Sequence, residues 1–145
     1  MNPFDIRTIM FARHAQHVVL VHFPIAAFIT AVGLDCAAQW TKNPAMAAAA
    51  YFNFLVAAAS TIPVIATGLA AWQWALEGQQ LKGTLLLHLS LGVTSSAVIV
   101  VAWLIHRRQR RLATTLPSYR LAVEFGGVLL VALTGHLGGV LAGLT

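Results

Sequence analysis

Six histidines are the side chains of this sequence best equipped for chemistry, and three of them fall inside long apolar stretches. His22 lies near the start of the first stretch, His88 near the start of the third and His136 toward the end of the fourth. An ionisable group inside a bilayer is costly, so it usually faces the bundle interior and has a task there. Imidazoles brought together from separate helices are a common means of holding a metal ion or a haem iron in a helical bundle. Thiolates are nearly absent, since Cys36 is the single cysteine. Acids in the same half of the chain's path are few, Asp5 and Glu77. Such a donor set suits bis-imidazole haem better than a hard cation, while copper or zinc on three imidazoles also fits it.

The elements that must position these groups are legible in the composition. Of 145 residues, 59% are hydrophobic and 9% charged, against about a quarter charged in a soluble domain. Four apolar spans follow, Val18 to Trp40, Ala45 to Trp74, Leu85 to Ile105 and Leu121 to Leu144. Each reaches the roughly 20 residues needed to cross a hydrocarbon core. A β-barrel is excluded by length and pattern. The expected fold is all-α, an antiparallel bundle of four transmembrane helices over 18–145, preceded by an interfacial segment over 1–17. Short links at Thr41 to Pro44, Ala75 to Thr84 and His106 to Arg120 force neighbouring helices to run antiparallel.

The net charge of +5 does not point to nucleic acid. Four bases sit in one run, Arg107, Arg108, Arg110 and Arg111, directly after an apolar span, where arginines act as topology determinants. Together with Lys42 and Arg120 they outnumber Arg7, Arg13 and Lys82 on the other side. Both termini are therefore expected outside, in the periplasm of a bacterial inner membrane, with lipid as the surrounding partner. In this topology His14, His17, His22, His88 and His136 share the outer half, with His22 and His88 about 6 Å inside it. His106, beside the arginine run, reads as an ordinary interfacial residue.

Several other residues bear on a cofactor slot. Gly135, Gly139 and Gly143 recur every fourth residue, with Gly127 two turns back, a smooth stripe against which a helix or a flat macrocycle can lie. Pro24 removes a backbone hydrogen bond to Leu20 and bends the first span beside His22. Thr67 and Thr134 offer hydroxyls to orient a histidine ring. Trp72, with Trp40, Trp74 and Trp103, reads as part of an interfacial aromatic belt, and Trp72 alone also as a ring stacked on a porphyrin. Asp35 is expected to pair with a base or cap a helix, and Arg120 to pair with Glu124 one turn on.

The stretch HVVLVHFPIAA (His17 to Ala27), Asp35, the Thr67-Gly68 pair before Trp72, His88 opening the third span and TGHLGG (Thr134 to Gly139) together resemble a bacterial membrane family. It is catalogued as domain of unknown function 2231, and the resemblance runs from about His17 onward. It implies a four-helix inner-membrane protein that transfers electrons through a b-type haem, with His17, His22 and His88 matching the recurrent histidines. The expectation is then one haem b, or two, with His22 and His88 as the preferred axial pair and His17 and His136 as alternates. Gly135, Gly139 and Trp72 would line it, and a quinone is a candidate second cofactor. The expected partner is a periplasmic redox protein or a larger respiratory or photosynthetic complex, and the chain is an electron carrier or redox subunit before it is a stand-alone enzyme. Two rivals stand beside this reading: a cofactor-free structural or assembly subunit, and a membrane protein that binds a transition metal through its histidines.

Overall fold

A computed structural model describes residues 15–74, 76–112 and 115–143. Most of the expected interfacial segment, with Asp5, Arg7, Arg13 and His14, lies outside them, as does Leu144. Five helices follow one another: α1 (Ala15–Leu20), α2 (His22–Thr41), α3 (Pro44–Trp74), α4 (Gly83–Leu112) and α5 (Arg120–Leu141). α1 and α2 form a single first span, and the chain crosses four times, with each span long and apolar enough for a membrane.

Local chemistry explains the breaks. Proline at position 24 has no N–H to offer the Leu20 carbonyl, and the helical hydrogen-bond ladder is interrupted between α1 and α2, although Val21 itself keeps helical angles, φ −61° and ψ −25°. α2 ends on Lys42 in the left-handed region, φ 54°. Asn43 then caps α3: its Oδ1 accepts the backbone N–H groups of Ala45 (2.9 Å) and Met46 (3.4 Å), with Pro44 in the first helical turn, where its missing N–H costs nothing. α4 runs past the expected end at Ile105 to Leu112. The arginines there continue the helix over aromatic rings, Arg107 above Trp103 and Arg110 above Tyr51, at 5.1 and 4.6 Å.

The spans lie in order around the bundle, so the first and third are diagonal. The seam between α2 and α5 is the thinnest of the four sides. The core fills the middle with Phe28, Phe54, Ile99 and Val131 and with alanines that let helices approach, among them Ala31, Ala50 and Ala57. Phe28 meets Phe54 edge to face, ring centroids 5.7 Å apart. Gly127 makes this possible, because a Cβ there would lie 2.7 Å from Phe28 Cζ and 3.0 Å from Val98 Cγ1. Phe28 is fully buried and has nowhere to retreat. Gly127→Ala is therefore expected to destabilise the bundle by about 1–3 kcal/mol, read as earlier heat unfolding in detergent, and Phe28→Leu in the same chain should recover part of the loss. A neutral single substitution would mean that the seam is looser than described.

Candidate functional site

At the end of the bundle where α1 and α4 begin, His17 and His88 line one interhelical cavity of about 70 Å³. Its walls also carry Pro24, Thr61, Ser95, Ser96 and Thr134. Three of the four hydroxyls spend their protons on their own helices, Thr61 on Ala58 O, Ser95 on Gly92 O and Thr134 on Leu130 O. Those three therefore turn oxygen lone pairs, not donors, toward the space.

The two histidines are held alike. His17 Nδ1 lies 3.3 Å from Thr67 Oγ1, whose own proton goes to Pro63 O at 2.8 Å. The ring nitrogen is therefore the donor. His88 Nδ1 donates to the Thr134 backbone oxygen at 3.1 Å. This tautomer puts the lone pair on Nε2 in both rings, as the orienting bonds of metal-ligating histidines do. Each ring also lies on a glycine of the adjacent helix. A Cβ on Gly68 would come within 3.0 Å of His17 Cε1, and one on Gly138 within 3.2 Å of His88 Cε1. Thr67 thus orients a ring with its hydroxyl as expected, whereas Thr134 does so with its carbonyl.

This symmetry has a source in the chain. His17 precedes Thr67-Gly68 by 50 residues and His88 precedes Thr134-Gly135 by 46. The protein is two helical hairpins of the same plan, each with a histidine entering its first helix and Thr-Gly leaving its second. The recurring Thr-Gly pair is the sequence signal that marks His17, rather than His22, as the counterpart of His88.

The other expected site residues lie elsewhere. His22 is exposed, and its Nδ1 donates to Val18 O of its own span at 2.7 Å. It borders an open groove with Phe23, Thr30 and Asn53 on the outer face of the first two spans. His136 is exposed as well. The structure therefore places His88 with His17, and places neither His22 nor His136 at the cavity. Gly135 faces Ile25 of the first span at 3.9 Å, while a Cβ on Gly139 would meet nothing within 4 Å. Gly135 thus belongs to the thin α2–α5 side. Trp72 ties down the following loop through Nε1–H to Gln79 O at 2.9 Å. Trp40, 90% exposed, and Trp74 face outward as belt residues do.

The opposite end holds a second polar centre. Asp35 and Glu124 are almost wholly buried, 1% and 0% exposed. Arg120 reaches Asp35 Oδ2 with Nη2 at 2.9 Å and Nε at 3.0 Å, and Glu124 Oε1 at 3.8 Å. Arg120, counted above with the loop bases, is thus an interior residue whose main partner is Asp35. His106 is the clearest correction: it is not interfacial but buried, 6% exposed, with Nε2 2.9 Å from Glu124 Oε1 and its ring stacked on Phe54 at 4.4 Å. Position beside an arginine run suggested water, but the helix turns His106 inward while Arg108 and Arg111 point out. Asp35 and His106 sit at the same offset beyond His17 and His88, a regularity that links the two in the sequence.

No curated protein and no solved structure matches the chain. A family model described as predicted membrane protein (DUF2231) matches residues 13–143, which takes in all four spans, the paired His and Thr-Gly positions and the buried charges. The chain belongs to the DUF2231 family of membrane proteins.

Proposed function

We propose that this protein is a membrane electron carrier, or the redox subunit of a larger respiratory or photosynthetic complex, that holds a b-type haem through His17 and His88. The observation that carries this reading is the pair of imidazoles, set at equivalent places in two hairpins, lining one cavity with both Nδ1 atoms engaged by oxygen. The donor set fits an axial pair, and Gly68 and Gly138 supply the room in which the rings lie. When bound, a haem iron supplies one-electron redox chemistry. The chain's own part is to fix the two rings, to surround them with apolar side chains and to keep water scarce. The distribution of bases supports a periplasmic position for the site, and on that reading a periplasmic protein is the expected redox partner. A quinone, if one takes part, would reach the site from the lipid.

The cavity's size favours a second reading. About 70 Å³ accommodates an ion or a few waters, whereas a small-molecule site usually measures about 300–1,000 Å³. A macrocycle requires the thin α2–α5 side to part, and a bare transition-metal ion does not. One preparation decides between them. Protein purified in detergent from haem-sufficient cells should give a dithionite-reduced minus oxidised spectrum with the bands of a b-type haem. A flat spectrum with stoichiometric copper or zinc by metal analysis selects the ion. A flat spectrum with neither rejects both and leaves the structural subunit.

A further inference from the structure

The buried charges at the other end do not balance. Asp35, Glu124 and Arg120 together leave one negative charge unmatched in a medium that penalises it heavily. Every element packed around the cluster bears on the count. Among the described residues the first span gives Asp35 and, beside it, Cys36; α4 gives His106; α5 gives Arg120 and Glu124; α3 brings the ring of Phe54. Arg107 and Arg110 are committed to Trp103 and Tyr51. One further positive charge is required, and His106 and Glu124 are the groups placed to share it.

A metal cation is the obvious competitor, since Asp35, His106 and Glu124 each offer a ligand atom within 4.8 Å of the others. Charge and geometry both oppose it. A divalent ion would overshoot neutrality by one unit, and two N–H groups of Arg120 already hold Asp35 Oδ2 at 2.9 and 3.0 Å. A single proton closes the count without moving an atom. Glu124 Oε2, buried and without a hydrogen-bond partner among the described residues, leaves the carboxyl a second oxygen on which to receive it.

We propose that His106 and Glu124 form a binding site for one proton, taken from the aqueous face beside the arginine-bearing end of α4. Loaded, the pair joined by the 2.9 Å Nε2–Oε1 bond carries one proton beyond the N–H that a neutral imidazole keeps, as imidazolium or on the Glu124 carboxyl, and the four-residue cluster is neutral. Unloaded, that proton leaves as a hydron and the cluster carries one negative charge. The site lies at the far end of α4 from His88 and is independent of what His17 and His88 bind.

Full-length protein labelled with ¹⁵N-histidine, in detergent, tests this by ring-nitrogen spectra and carboxyl infrared bands between about pH 5 and pH 10. The signal of His106 is identified by its loss in His106→Gln. The expected result is one added proton on the pair at the acid end, as imidazolium or as protonated carboxyl, and a neutral imidazole beside a carboxylate at the alkaline end. In Glu124→Gln or Asp35→Asn the count closes without that proton, and the ring should be neutral throughout. Added zinc should leave the His106 signal unmoved. The wild-type titration stands alone if a variant fails to fold. A pair that keeps its proton at every pH, or lacks it at every pH, overturns the proposal, as does zinc bound at His106.

Discussion

Arg120→Leu is expected to destabilise the detergent-solubilised protein by about 3–5 kcal/mol, the usual cost of removing one partner from a buried ion pair. Among the described residues the guanidinium is the only base in contact with both almost wholly buried carboxylates, Asp35 and Glu124. Its loss leaves Asp35 with no counter-charge among them and Glu124 with His106 alone. Asp35→Asn should cost less, because Arg120 lies 3.8 Å from Glu124 and can shift toward it. Replacing both Asp35 and Arg120 by leucine should recover much of the loss, since an apolar pair often substitutes for a buried ion pair at little cost. Thermal unfolding of the four proteins measures this. Equal, small losses in both single variants would mean that water reaches the pair and that the burial argument fails.

The second large effect concerns the histidines. On the proposed haem reading, His88→Ala and His17→Ala should each abolish the reduced-minus-oxidised spectrum, because a site held by two imidazoles would lose its coordination with either ligand. His22→Ala and His136→Ala should retain it, as both rings are exposed and neither lines the cavity. Added imidazole should restore part of the signal to the two alanine variants that lose it, which distinguishes a missing ligand from a collapsed fold. A spectrum kept in His17→Ala and lost in His22→Ala would return His22 to its place as partner of His88.

The four spans were legible because hydropathy is a local property. Their ends were less so: α4 continues through Arg107–Arg111, since arginine is a good helix former and apolarity ends before helicity does. Which histidines meet was harder. His17 and His22 are five positions apart, about 140° around a helix, so one span cannot turn both inward. Depth along the span is blind to that rotation. The charge cluster was legible in part. Spacing pairs Arg120 with Glu124 one turn away, and the two do form an ion pair at 3.8 Å, but the shorter bonds of Arg120 go to Asp35, 85 residues distant, and His106 looked solvated because its sequence neighbours are.

The pair Asp35 and Arg120 also has a mechanical meaning. It crosses from α2 to α5, the side of the bundle with the least contact, and does so only at one end. At the other end that side brings Gly135 against Ile25 at 3.9 Å, next in sequence to Thr134 of the His17 and His88 cavity. The molecule is thus built like a clothes peg, with an electrostatic fulcrum at one end and lightly packed jaws at the other. Parting the jaws would leave the fulcrum intact, so a ligand of the proposed site would not have to unfold the protein to enter.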